Sequence, residues 1–242
     1  MTIKLRSCSL VQNLNSTRSS FLIWKLVTQL LPSFQKCATS VCLWPMLWLL
    51  FHISHLLLSA SFQLRNLGRI RRYLTPQATE QLVHAFVSSR LDMCNAILFG
   101  LPKDQINRLQ LKQNMAARLI TRTKPSEHIS PVLFDLHWLP VTFRIQYKQM
   151  LLTYRAIDGL APIYINELVQ FYNPSRSGLR SAKKSLLLEP KSSKSWGDRA
   201  FCVAAPRIWN TLPDNIRNCS SLVSFKSQLK TYFFKLAYNN LE

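Results

Sequence analysis

The chain has 242 residues, of which 48% are hydrophobic, and its 31 Lys and Arg against 11 Asp and Glu give a net charge of +20. This length provides for one domain, or one domain with an appendage, and the apolar content excludes a wholly disordered chain. A positive field of this size favours polyanions, either nucleic acid or an anionic membrane surface. The alternative is a basic protein whose charge serves only solubility.

Residues 1–58 form an N-terminal segment that differs from the rest, and we expect it to be irregular or an apolar helix. The first acid of the chain is Glu80, and no charged residue lies between Lys36 and Arg65. Within that gap the apolar run 41–60 is long enough to span a bilayer. Pro45 and His52 interrupt the run, so three interpretations stay open: a transmembrane helix, a segment that packs on the domain, or translated sequence that was never selected to fold.

Residues 59–172 have the periodicity of a helical domain. A helix over 62–74 is predicted to bury Leu67, Ile70 and Leu74 at helical spacing. The other side of this helix carries the basic stripe Arg65, Arg69 and Arg72. Thr75 and Pro76 supply an N-cap and a proline at the first position of the next helix. That helix is expected to reach Phe99, with Cys94 in the core, and to end at Gly100.

A third helix is predicted over 102–121, with Ile106, Leu109, Ala116, Ala117 and Ile120 as its buried stripe. A short helical turn follows from Ser130 to Leu136, and a longer helix runs from Val141 to Asp158. Arg144, Lys148 and Arg155 fall within roughly 40° of one another on this last helix. Such a row suits a phosphate backbone, although most charged stripes are only solvated faces.

The remaining residues divide into a loop and a closing segment. Residues 173–195 are rich in serine and lysine, and they predict a basic, flexible loop around a short strand at 186–188. Residues 196–242 predict a compact segment over 201–212 and a helix from Leu222 to Leu236. The apolar stripe of that helix is Phe225, Leu229, Phe233 and Leu236. Trp138 and Trp209 stand beside prolines, and we expect both to anchor packing corners.

The sequence carries no recognisable catalytic or metal site. Two-metal nucleotidyl transfer requires converging carboxylates, but no two acids are adjacent in this chain. Walker A, G-x-G-x-x-G, G-x-S-x-G and H-E-x-x-H motifs are absent from the sequence. None of the six cysteines forms a C-x-x-C pair, so neither a zinc ribbon nor a disulfide framework is indicated. We therefore predict a protein that is not an enzyme and that uses no cofactor.

Several blocks of the chain resemble one family. LVHAFVSSRLDMCNAILFGLP, RLQLKQNMAARLI, HISPVLFDLHWLPVTFRIQYKQMLLTYRAIDGLAPIYI and FCVAAPRIWNTLP are similar to the C-terminal region of reverse transcriptases from LINE-class, non-LTR retrotransposons. The resemblance covers residues 59–236 and implies the thumb and the segment beyond it. The family's paired catalytic aspartates map to no position here, which implies a truncated element copy.

The resemblance and the charge together define the expected fold and function. We expect a mostly α fold: a helical thumb-like bundle with a small β-hairpin near the C-terminus. The expected partner is RNA, DNA or an RNA–DNA hybrid, bound through its backbone without sequence preference, in the nucleus or cytoplasm. The alternatives are a membrane-anchored basic protein and a translated fragment without function. The predicted nucleic-acid-binding residues are Arg65, Arg69, Arg72, Arg144, Lys148, Arg155, Lys183 and Lys184.

Overall fold

A computed structural model of the chain describes residues 40–173, 185–192 and 197–239, with side chains from Ile53 onward. Two compact units are present, Met1–Leu56 and Leu57–Glu242. In the first unit the described backbone is helical from Ser40. No helix within the described residues is long and apolar enough to cross a bilayer. The side chains of residues 41–52, most of the predicted apolar run, lie outside the description.

Helix α1, Ser40–Ile70, begins well before the predicted start at Phe62. Within the second unit its buried positions are Ala60, Leu64 and Leu67, and the series continues to Arg71 in the 3₁₀ turn that follows. The prediction that Ile70 is buried is wrong, since 44% of its surface is exposed. The buried stripe steps by three and four residues from Ala60, and Ile70 lies one position off it.

Helix α2, Pro76–Val83, has the predicted cap, because the Ala78 N–H donates to Thr75 Oγ1 at 3.2 Å. The predicted continuous helix to Phe99 is instead broken into a π-helical turn (84–88), helix α3 (Ser89–Asp92) and a 3₁₀ turn (95–98). Cys94 lies at the break with a left-handed φ of 55° and is exposed. The prediction of a buried Cys94 is therefore wrong, because the left-handed conformation at the break turns this side chain away from the apolar side.

The predicted third helix is confirmed as α4, Lys103–Thr121, and the predicted turn as α5, Ile129–Asp135. Helix α6, Val141–Ile157, and the short α7, Ile163–Asn166, follow. Two glutamines of α4 hold the linker between α5 and α6. Gln110 Oε1 accepts the N–H of Val141, and Gln113 Nε2 donates to the carbonyl of Leu139, each at 2.8 Å. The first N–H of α6 is thus satisfied from a neighbouring helix.

The C-terminal core lies between α6 and three further helices: α8 (Phe201–Thr211), α9 (Asp214–Arg217) and α10 (Leu222–Tyr238). Trp209 is 1% exposed, and its Nε1 donates to the Ser185 carbonyl at 3.1 Å. The other buried members of this cluster are Leu139, Met150, Tyr154, Leu187, Leu212, Ile216, Phe225, Leu229 and Phe233. Both predicted tryptophan anchors, Trp138 and Trp209, are therefore confirmed as buried.

Two details at the C-terminus differ from prediction. Leu236 is 44% exposed, and the last inward contact comes from Tyr238, whose hydroxyl donates to the Trp138 carbonyl at 2.5 Å. In place of the expected hairpin, the described residues contain a single antiparallel bridge between Phe171 and Leu187. No strand occurs in the described ranges, so the predicted mostly helical fold is confirmed. Residues 174–184 and 193–195, which are 14 of the 23 residues of the predicted basic loop, lie outside those ranges.

Candidate nucleic-acid interface

The end of α1 presents the first predicted basic stripe. Arg65 and Arg69 on the helix and Arg72 on the following turn are all exposed. The guanidinium carbon of Arg72 lies 4.7 Å from the centre of the Tyr73 ring, a cation–π arrangement. No carboxylate forms an ion pair with these three arginines in the described part of the chain. Their positive charge is available to an anionic partner.

Arg71 lies in the same basic run but has a different environment. It is 8% exposed, and its guanidinium donates to the carbonyls of Leu119, Ile120 and Leu74 at 2.9, 3.1 and 3.0 Å. The first two carbonyls belong to the C-terminal turn of α4, where carbonyls lack intrahelical partners and the helix dipole is negative. Arg71 therefore caps α4 and takes no part in the exposed stripe.

The three residues of the second predicted stripe, on α6, differ in their exposure and in their ion pairing. Lys148 is exposed, whereas Arg144 and Arg155 are half-buried. Nη1 of Arg144 lies 3.3 Å from Oδ1 of Asp92, at the end of α3. The charge of Arg144 is thus already partnered, while that of Lys148 is not paired with any described carboxylate.

A cleft of about 470 Å³, lined by charged and apolar side chains, adjoins the Arg144–Asp92 pair. Arg144 and Lys148 contribute two of its cations, and Lys230 of α10 contributes a third. Lys230 was missed from the sequence because it lies far along the chain from α6. Its position next to the buried Leu229, on the polar side of α10, was the available signal. The remaining lining residues are Glu80, His84, Asn95, Leu136, His137, Trp138, Leu139, Tyr147 and Leu151, together with Asp92.

Electrostatics in the cleft are mixed. Burial raises the pKa of the Asp92 carboxyl, and the charges of Arg144, Lys148 and His84 act in the opposite direction. The side chain of Asp92 nevertheless keeps 46% of its surface exposed, so solvent screens the effect of burial on its carboxyl group. His84 lies 3.7 Å from Glu80 through Nε2 and Oε1, and it meets the Trp138 ring edge-on at 5.4 Å.

The two candidate lysines of the basic loop, Lys183 and Lys184, lie outside the described residues. Within the described ranges, no group of three or more His, Cys, Asp or Glu side chains is placed to hold a metal ion. Comparison of the chain with protein-family models, with curated proteins and with solved structures found no match.

Proposed function

We propose that this chain is a helical module that binds the backbone of nucleic acids without reading their sequence. The observation that carries the proposal is the exposed, unpaired stripe Arg65, Arg69 and Arg72 on a protein of net charge +20. Guanidinium groups form bidentate hydrogen bonds with phosphate oxygens. A row of them along one helix end suits contact with several phosphates, while base readout would require side chains placed in a groove.

Salt dependence tests this proposal directly. Each phosphate contact releases condensed counterions, so the logarithm of the affinity falls linearly with the logarithm of the salt concentration. We expect the chain to bind an RNA–DNA hybrid in a gel-shift titration at low salt. We also expect similar affinities for two hybrids of unrelated sequence. Absence of binding at low salt, or a strong preference for one sequence, contradicts the proposal.

The stripe itself is tested with a matched pair of triple variants. Arg65→Gln/Arg69→Gln/Arg72→Gln is expected to reduce the magnitude of the salt slope by about three, since each lost phosphate contact accounts for about one. The control, Lys124→Gln/Lys191→Gln/Lys235→Gln, removes the same charge from exposed positions on separate segments. Equal losses in the two variants mean that net charge, and not the stripe, drives binding.

We further propose that residues 59–236 correspond to the thumb and downstream region of a LINE-class reverse transcriptase. The resemblance of several sequence blocks, which occur in the order expected for that region, supports this proposal, and so does the mostly helical fold. In this role the chain grips a template–primer duplex and performs no nucleotidyl transfer of its own. The test is the genomic DNA upstream of the coding sequence. A palm with paired aspartates there, in frame or frameshifted, supports the proposal, and unrelated sequence contradicts it.

A further inference from the structure

The cleft between α6 and α10 combines charged and apolar side chains, which the exposed stripe does not. It faces three cations, Arg144, Lys148 and Lys230, and two acids, Glu80 and Asp92. His84, His137 and Tyr147 complete its titratable groups. A concave site of this volume is in the range that holds a small ligand or a protruding group of a larger one.

The hydrogen-bonding capacity of this cleft is incompletely used within the described residues. Nη1 of Arg144 is buried and forms an ion pair with Asp92, but no acceptor is aligned for a hydrogen bond with it. Asn95 is 4% exposed, and its Oδ1 has no donor partner among the described residues. Buried polar groups are normally satisfied. These two atoms are themselves buried, so the part of Arg144 that a ligand can reach is the exposed 19% of its side chain.

Backbone conformation at the cleft is also unusual. His84 begins the π-helical turn, a form that often marks functional sites. His137 lines the cleft in the left-handed region, with φ of 55°, and Cys94, with the same φ, precedes Asn95. Non-glycine residues in this region store strain and cluster at ligand sites. Strained backbone and three cations thus coincide at one concave place.

We infer that the cleft binds one phosphate group of a nucleic-acid strand, and that Asp92 competes with this phosphate for the guanidinium of Arg144. A carboxylate and a phosphate present similar oxygen pairs to a guanidinium. In the absence of a phosphate, Asp92 therefore pairs with Arg144 and keeps its guanidinium oriented. Displacing Asp92 lowers the net affinity of the site for phosphate. Lys148 and Lys230 supply the remaining positive charge. This inference rests on the proposed function and assigns one contact of that function to a defined site.

Asp92→Asn tests the competition, with Asp104→Asn as control. Asp104 is exposed on the first turn of α4, and its replacement changes the net charge equally. We expect the Asp92 variant to bind the RNA–DNA hybrid more tightly than the control by up to about fivefold, the worth of a partly exposed ion pair. In an Arg144→Gln background the gain should vanish. Equal affinities, or a gain that persists without Arg144, overturn the inference while leaving the proposed function intact.

A second pair of variants and a second ligand keep the inference testable by other routes. Lys230→Gln should weaken hybrid binding more than Lys235→Gln, an exposed lysine on the same helix; equal losses count against the cleft. Should the unmodified chain fail to bind nucleic acid, the proposed function falls and inorganic phosphate replaces the hybrid. At equal ionic strength, phosphate should then raise the Tm of the Asp92→Asn chain more than that of the Asp104→Asn chain. Equal increases overturn the inference.

Discussion

Replacement of the buried Arg71 by methionine should lower stability and leave nucleic-acid binding unchanged. This outcome would distinguish a structural arginine from the neighbouring arginines that we propose bind a ligand. Methionine keeps most of the apolar stem of the side chain but removes the three donated hydrogen bonds to Leu119, Ile120 and Leu74. Hydrogen bonds from charged groups are each worth about 1.5–3 kcal/mol. Water can rehydrate part of the exposed helix end, so we expect a total loss of about 3 kcal/mol in the free energy of unfolding.

The assay is urea and thermal unfolding of the full chain followed by far-UV circular dichroism. For a unit of this size, about 3 kcal/mol corresponds to a fall in Tm of about 6–12 °C. Arg72→Met is the matched control, because Arg72 is the exposed neighbour whose described contact is the Tyr73 ring. We expect this control to lower stability by less than about 1 kcal/mol.

Nucleic-acid affinity should change in the opposite order. Arg72→Met is expected to weaken hybrid binding and to lower the salt slope by about one, since it removes one exposed phosphate contact. Arg71→Met should leave the salt slope unchanged at temperatures well below its Tm. Equal stabilities of the two variants would refute the capping role of Arg71, and a reduced slope in Arg71→Met would refute its separation from the exposed stripe.

Three further predictions concern the backbone and the pH dependence of stability. Gly68→Ala should raise the free energy of unfolding by about 1 kcal/mol, because an added Cβ meets no atom within 4 Å. Gly100→Ala should lower it by about 1–2 kcal/mol, because Gly100 has a φ of 73° and the added Cβ would lie 2.7 Å from Arg199 Cγ. Both variants are measured by urea unfolding. Changes of the same sign in their free energies of unfolding contradict the assigned backbone conformations. Burial raises the pKa of Tyr238 from 10.0 to about 12. The stability that the protonated hydroxyl contributes is therefore complete below pH 10 and is lost as pH rises through 12. Stability measured across this window should fall less steeply in Tyr238→Phe, and identical slopes refute the prediction.

Much of the helical fold was readable from local sequence, and so were several of its boundaries. Periodicity located α4 and α6, and Thr75 with Pro76 marked the start of α2, because caps and apolar spacing act within one or two helical turns. The break at Cys94 was not readable. Its left-handed conformation carries Asn95 and Leu98 inward, and a cysteine gives no sequence signal for such a turn. The exposure of Ile70 and Leu236 was missed because neighbouring helices, and not periodicity, decide which edge of an apolar stripe is covered.

By itself, the sequence determined a basic, mostly helical chain and placed its arginines on helix faces. Charge and helical spacing depend only on residues that are close in sequence, so both can be determined without the fold. Only the tertiary structure decided which cations are available to a ligand. Arg71 is engaged by the end of α4, Arg144 is engaged by Asp92 of α3, and Lys230 joins Lys148 at one cleft. Each of these pairings joins elements that are distant in sequence, and a side chain's free energy of binding depends on partners that only folding brings within hydrogen-bond distance.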